Sequence, residues 1–120
     1  MRTMTILIER DSRAALKRAG EGFKRAWKSG RYQGETLSFE SPSALFRVIT
    51  PARWTLIERL QALGPSSLRG LARALERDVK SVHRDVAALL AQGLVEKDEA
   101  GKVLVPFARI RAGFDMKAAA

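Results

Sequence analysis

The sequence contains no cysteine, a single histidine and a single tyrosine, and its unbroken apolar runs are only a few residues long. Without cysteine, disulfide bonds, thiolate metal sites and a cysteine nucleophile are excluded, and one histidine argues against a transition-metal site. No apolar run can span a bilayer, and the first one meets charge at Glu9 and is too short for a signal peptide. We therefore expect a cytoplasmic protein with no membrane partner, no metal and no cofactor.

Acidic residues are also scarce relative to basic ones. Thirteen Asp and Glu stand against 22 Lys and Arg, which gives a net charge of +9 in 120 residues. A basic excess of this size favours a polyanionic partner, because each neutralised phosphate releases condensed counterions. The excess lies before the C-terminal third: residues 1–50 hold ten basic and five acidic side chains, whereas residues 94–120 hold five and four.

The sequence offers no nucleophile–base pair, metal cluster or phosphate-binding loop. Two aspartates in the C-terminal half are expected to be structural, Asp78 as a helix N-cap and Asp85 as a surface charge of the same helix. Seven residues apart on a helix, they are separated by about two turns and cannot share a proton. We therefore predict no catalytic residues and a binding protein rather than an enzyme.

The first third of the chain predicts a strand–helix–strand unit. Residues 3–9 are β-branched and apolar, which is typical of a strand. Asp11 or Ser12 then offers an N-cap to a helix that ends near Gly30. Turn residues lead into a second strand expected at about residues 36–40.

The predicted N-terminal helix is rich in basic residues over residues 13–28, and three interpretations of its outer face remain open. The face can be an ordinary solvated surface, a second surface that contacts phosphates, or an amphipathic surface on a membrane. A short helix is expected after the second strand, near residues 42–49.

From residue 51 the hydrophobic pattern predicts three consecutive helices. Thr50 is a favourable N-cap and Pro51 suits the first helical position, where its missing N–H is not needed. Breaks are expected at residues 64–65, with Ser66 or Ser67 as the next cap, and at residues 76–78. The residues expected to face the core are, helix by helix, Trp54, Ile57, Leu60 and Leu63; Leu68, Leu71 and Leu75; and Val79, Val82, Val86, Leu89 and Leu90.

Two short strands are expected after the third helix, in LVEK and KVLVP, joined by a polar turn that contains Gly101. Three helices with a tight turn between the second and the third, followed by a hairpin, describe a winged helix-turn-helix. The predicted fold is therefore α+β, with three helices and a hairpin wing after an N-terminal β-α-β extension. Residues 1–41 form the extension and a candidate dimerisation unit, residues 42–106 form the DNA-binding domain, and residues 107–120 form a segment that docks or is partly disordered.

The third helix carries the side chains expected to meet DNA. Its inward stripe leaves polar side chains in the first turns free to enter the major groove, where Lys80 and Arg84 can read guanine O6 and N7. Ser81 can contact a base or a phosphate, and so can His83, although a solvated surface histidine is an equally good interpretation. The predicted recognition set is Arg77, Lys80, Ser81, His83 and Arg84.

Contacts to the DNA backbone are expected from two further places. Ser67 and Arg69 begin the second helix, whose N-terminus favours phosphate. Lys97 and Lys102 flank the hairpin turn and can meet phosphate or the minor groove. The tip between them is acidic, which argues against deep insertion of the wing.

The run LRGLARALERDVKSVHRDVAALLAQGLVEKDEAGKVLVP resembles the winged-helix module of MarR-like bacterial and archaeal regulators. More narrowly, residues 50–53, 71–73, 77–86 and 93–94 resemble a family of small proteins regarded as DNA-binding. These proteins are often encoded beside a toxin gene and are taken to be its antitoxin, of the TumA type. The resemblance covers roughly residues 36–110. It implies a repressor of its own toxin–antitoxin operon that also binds a cognate toxin.

We thus predict a transcriptional regulator that binds double-stranded DNA sequence-specifically. A homodimer on a pseudo-palindromic operator is expected, since one such helix reads too few bases alone. The N-terminal strands are candidates for the dimer interface, and PFARIRAGFDM is expected to dock on the N-terminal unit or on a partner. Two alternatives stay open: a protein-interaction module on a winged-helix scaffold, and a nonspecific nucleic-acid-binding or architectural protein, which includes an RNA-binding one.

Overall fold

A computed structural model of the chain describes residues 1–10, 20–21 and 34–118. In these residues four helices and five short strands make the protein α+β. Apart from residues 20 and 21, the helix predicted between residues 11 and 30 lies outside the described residues. In chain order the elements are β1 (Thr3–Ile8), β2 (Glu35–Phe39), α1 (Pro42–Val48), α2 (Pro51–Leu63), α3 (Leu68–Leu75), α4 (Val79–Ala91), β3 (Glu96–Lys97), β4 (Val103–Leu104) and β5 (Arg109–Ala112).

The described chain divides into two units, which we name the helical unit and the sheet unit. The helical unit consists of residues 46–108 together with Met1. The sheet unit consists of the described parts of Arg2–Leu45 and Arg109–Ala120. None of the described helices is both long and apolar enough to cross a membrane.

The sheet unit is built on a parallel three-stranded sheet in the order β2–β1–β5. Apolar and β-branched residues fill the central strand β1, and its Met4 and Ile6 are buried. Both predicted strands are therefore present. The third strand, β5, comes from the segment that the sequence predicts only to dock, and it pairs with β1 within this unit.

Each of the first two helices of the chain's middle third begins at a polar cap. Ser41 Oγ accepts a hydrogen bond from Ala44 N–H at 3.1 Å, just before α1. Thr50 Oγ1 accepts one from Arg53 N–H at 3.3 Å, and Pro51 takes the first position of α2. The helix start predicted at Thr50–Pro51 is confirmed.

The next two helices are also capped where the sequence predicts. Ser67 Oγ accepts a hydrogen bond from Gly70 N–H at 3.0 Å at the start of α3. Asp78 Oδ2 accepts one from Ser81 N–H at 3.0 Å at the start of α4. Between these helices Glu76 adopts a left-handed φ of 53°, which turns the chain within three residues. Such short turns hold two helices at a fixed angle.

The core of the helical unit is formed by one side of each of α2, α3 and α4 together with the hairpin and the residues that flank it. Phe107 is buried, and its carbonyl oxygen accepts a hydrogen bond from Gln61 Nε2 of α2 at 3.1 Å. The buried apolar residues of this unit are Ile49, Leu56, Ile57, Leu60, Leu71, Ala72, Val82, Val86, Leu89, Leu94, Val95, Val103 and Phe107.

Two of the predicted core positions are wrong. Leu63 is 42% exposed and Val79 is 39% exposed. A strict three-residue spacing turns by about 60° around a helix at each step, so Leu63 lies about 180° from Trp54. Leu56, which the spacing misses, is fully buried instead. Val79 is the first residue of α4, where no preceding helical turn covers its side chain.

The hairpin predicted after the third helix is present, with β3 and β4 antiparallel. Asp98 Oδ1 accepts hydrogen bonds from Ala100 N–H and Lys102 N–H, both at 2.9 Å, and Gly101 supplies a φ of 80°. Only glycine adopts this φ without a steric penalty. Ser66, before α3, exchanges two backbone hydrogen bonds with Val103 at 2.9 Å, which ties the hairpin to the α2–α3 connection.

Candidate nucleic-acid interface

The outer side of α4 presents a group of polar side chains in its first two turns. Lys80, His83 and Arg84 are exposed, and Ser81 is half-buried. The opposite side of the same turns is buried through Val82 and its neighbours on the inward stripe. The structure therefore places four of the five predicted recognition residues, three exposed and one half-buried, on the outer side of a helix whose other side is packed in a core.

A short chain of hydrogen bonds runs along this surface. Arg84 Nη2 donates to Ser81 Oγ at 3.5 Å, and Ser81 Oγ donates to Asp78 Oδ2 at 3.1 Å. The Ser81 backbone N–H and hydroxyl hold the pKa of Asp78 below its usual value. Asp78 is thus ionised at neutral pH, and the Ser81 side chain takes part in the helix cap.

The fifth predicted residue, Arg77, is engaged inside the helical unit. Its Nη2 donates to Asp85 Oδ2 at 2.7 Å. Its Nη1 is buried and has no hydrogen-bond partner among the residues that the structure describes. Arg77 therefore does not join the exposed recognition set in this structure, because its guanidinium neutralises a buried carboxylate.

Asp85 is the residue that sequence reasoning placed wrongly: it is buried, with 7% of its surface exposed, and is not a surface charge. Arg53 Nε of α2 donates to Asp85 Oδ1 at 3.0 Å, while Arg77 holds the second oxygen. Arg53 Nη1 also donates to the Val48 carbonyl oxygen at 2.6 Å. We call Arg53, Arg77 and Asp85 the charge cluster. It joins α2, the α3–α4 turn and α4.

The charge cluster keeps Asp85 ionised despite its burial. Burial raises the pKa of the Asp85 carboxyl, but the hydrogen bonds from Arg77 and Arg53 outweigh this effect and leave the pKa below its usual value. A sequence signal for the burial exists. Asp85 lies three residues after Val82 and four before Leu89, which puts it on the inward stripe of α4.

The residues predicted to contact the DNA backbone occupy two places in the helical unit, the start of α3 and the hairpin. Ser67 caps α3, and Arg69 is exposed in the first turn of that helix. Arg73, which sequence reasoning missed, is exposed four residues later and so lies on the same side as Arg69. Lys97 and Lys102 are exposed on either side of the hairpin turn.

One of the two acidic residues at the tip of the hairpin has a structural role in the turn. Asp98 accepts two backbone hydrogen bonds and so structures the turn, while Glu99 beside it is exposed. Within the described ranges, no group of three or more His, Asp or Glu side chains is placed to hold a metal ion.

Comparison with known proteins identifies a family whose model covers most of the helical unit. No curated protein and no solved structure matches the chain. The model of the family HVO_A0114 matches residues 48–112, which is more than half of the 120 residues. The match begins at the last residue of α1 and runs through α2, α3, α4 and the hairpin to the last residue of β5. The chain belongs to the HVO_A0114 family.

Proposed function

We propose that the helical unit is a winged helix-turn-helix that binds double-stranded DNA sequence-specifically, with α4 as the recognition helix. The observation that carries the proposal is the outer side of α4. Lys80, His83 and Arg84 are exposed there, on a helix whose opposite side is buried and whose start is capped by Asp78. Arginine and lysine bind guanine O6 and N7 in the major groove, and a fixed helix presents them in one orientation.

The surroundings of α4 support the same proposal. The α3–α4 turn spans residues 76–78, a length that suits a helix-turn-helix. Arg69 and Arg73 of α3 and Lys97 and Lys102 of the hairpin add exposed positive charge in the same unit. Contacts of such residues to phosphates position a protein on DNA without reading its sequence.

For the charge cluster we propose a positioning role. Arg77 and Arg53 hold Asp85 from two sides, and Asp85 follows directly after Arg84 in α4. The cluster thereby orients the turn of α4 that carries Arg84. In this proposal Arg77 helps to orient α4 by binding Asp85, and it does not contact bases.

The regulatory role is the next part of the proposal. One recognition helix reads few bases, so we infer a homodimer on a pseudo-palindromic operator. The resemblance to MarR-like regulators supports a regulator of transcription. The resemblance to TumA-type antitoxins alone supports a toxin as second partner and the chain's own operon as target.

The proposal is tested by measuring binding to the DNA upstream of the chain's own gene and to a scrambled duplex of equal length, across a salt series. For Arg84→Ala we expect a loss of roughly 1–3 kcal/mol in the preference for the upstream DNA, because a base contact is removed. Arg59→Ala is the matched control, since Arg59 is exposed on α2 and outside the proposed interface.

The wild type must prefer the upstream DNA, and Arg59→Ala must keep that preference. Equal binding of both duplexes by the wild type and by Arg84→Ala, with only a small change in salt dependence, contradicts sequence-specific recognition. A nonspecific nucleic-acid-binding protein or a protein-interaction module then becomes the better interpretation.

A further inference from the structure

The sheet of the sheet unit has two unlike faces. Side chains alternate along each strand, and paired residues of neighbouring parallel strands share a face. Met4 is paired with Ile110, and Ile6 is paired with Leu37. Met4 and Ile6 are buried, and Leu37 and Ile110 are half-buried. This face is the apolar one.

The opposite face carries hydroxyl groups and two guanidinium groups. In its central row Thr5 of β1 lies between Thr36 of β2 and Arg111 of β5. In the neighbouring row Arg109 pairs with Thr3. Ser38 lies on the same face because it is two residues from Thr36. We call this the polar sheet face. Its members are Thr3, Thr5, Thr36, Ser38, Arg109 and Arg111, with Leu7 beside Ser38.

The positive charge of the polar sheet face is not neutralised by the strands that form it. Glu35 is the one carboxylate in the three strands, and its register with Met4 puts it on the apolar side, where Arg2 binds it at 2.9 Å. Arg109 and Arg111 are exposed and form no ion pair with any described residue. Glu9 lies beyond the end of β1, four residues after Thr5 and away from the rows that hold the two arginines.

This arrangement suits successive phosphates of one nucleic-acid strand. Residues two apart in a strand are separated by about 6.6 Å, which is comparable to the distance between neighbouring phosphates. Guanidinium groups bind phosphate in a bidentate manner, and hydroxyl groups donate to phosphate oxygens. Leu7 is the single apolar side chain of this face within the strands, so the face lacks the apolar area that binding to a membrane surface needs.

We propose that the polar sheet face is a second DNA-binding surface, which contacts backbone phosphates through Arg109 and Arg111. The proposal rests on the proposed function in one respect, namely that the ligand of the chain is double-stranded DNA. The contact carries no sequence information. It adds affinity and salt dependence equally on every duplex.

The test uses the full chain with Arg109 and Arg111 both replaced by alanine. Binding to the upstream and scrambled duplexes is measured across a salt series. Each phosphate contact contributes about 0.9 to the slope of log K against log salt, so we expect the slope to become shallower by about 1.8 on both duplexes, with the preference between them unchanged. Replacing both arginines with lysine retains the charges and is expected to restore most of the slope.

The charge-matched control removes two other exposed cations, Arg59 and Lys117. This control must keep the wild-type slope.

If the wild type prefers the upstream DNA through Arg84 but the double alanine variant keeps its slope, the polar sheet face is not a DNA-binding surface while the proposed function stands. If the double alanine variant loses slope but the wild type binds both duplexes equally, the result supports DNA binding by the polar sheet face and contradicts sequence recognition by α4. Loss of slope together with a changed sedimentation mass overturns the proposal, because the arginines then control self-association.

Discussion

Replacing Asp85 with alanine is expected to lower the free energy of unfolding of the helical unit by about 3–5 kcal/mol. Asp85 is buried and neutralises Arg53 and Arg77 at 3.0 and 2.7 Å. Without it two guanidinium groups remain partly buried, and among the described residues no other carboxylate pairs with either of them. Urea unfolding of the full chain, followed by far-UV circular dichroism, measures the loss.

Glu58→Ala is the matched control for this variant. Glu58 is a carboxylate of α2 that is exposed, so its removal should change the stability by no more than about 0.5 kcal/mol. A loss below about 1 kcal/mol for Asp85→Ala contradicts the account of the charge cluster, because breaking a buried pair must leave uncompensated charge.

The contribution of Asp85 is also expected to disappear in acid. The pKa of Asp85 is lowered in the folded protein, so the folded state binds its proton less readily than the unfolded chain, whose pKa is about 3.9. The stability that results is present above the unfolded pKa and is lost as the pH falls through the lower, folded pKa. The stability difference between the wild type and Asp85→Ala should be constant near neutral pH and shrink below about pH 4. A difference that persists undiminished in acid contradicts the charge assignment.

The second large effect concerns two leucines of one helix. Leu60→Ala is expected to lower the free energy of unfolding by about 2–5 kcal/mol, because Leu60 is fully buried and its loss leaves a cavity. Leu63→Ala makes the same substitution three residues later, where the side chain is 42% exposed. Its effect should be about 1 kcal/mol or less, because only part of the side chain is buried. Equal losses from the two variants, measured by urea unfolding, contradict the core boundary described for α2.

Local signals in the sequence predict where α2, α3 and α4 begin and where the hairpin turns. The caps at Thr50, Ser67 and Asp78 depend on residues three positions away, and Gly101 acts within its own turn. Such features need no knowledge of the rest of the chain. The exposed positions of Lys80, His83 and Arg84 follow from helical periodicity once the buried side is known.

Features that depend on distant partners are harder to predict. Sequence reasoning assigns Asp85 to the surface because it is charged. Its place on the inward stripe is favourable because Arg77 and Arg53, which lies 32 residues earlier, supply counter-charges. The strand β5 has only four residues and pairs with β1 at the other end of the chain. A segment so short does not distinguish a strand from a loop until its partner is known.

The central claim, that α4 reads DNA sequence, is tested most directly by selecting bound duplexes from a random pool. The wild type and a Lys80→Ala, Arg84→Ala double variant are compared at the same salt concentration. For the wild type we predict an enriched pseudo-palindromic motif with guanines in half-sites about 10 base pairs apart or a multiple of that, and for the double variant the loss of preference at those guanines. A wild-type pool without any motif, or the same motif from both proteins, would contradict recognition by α4.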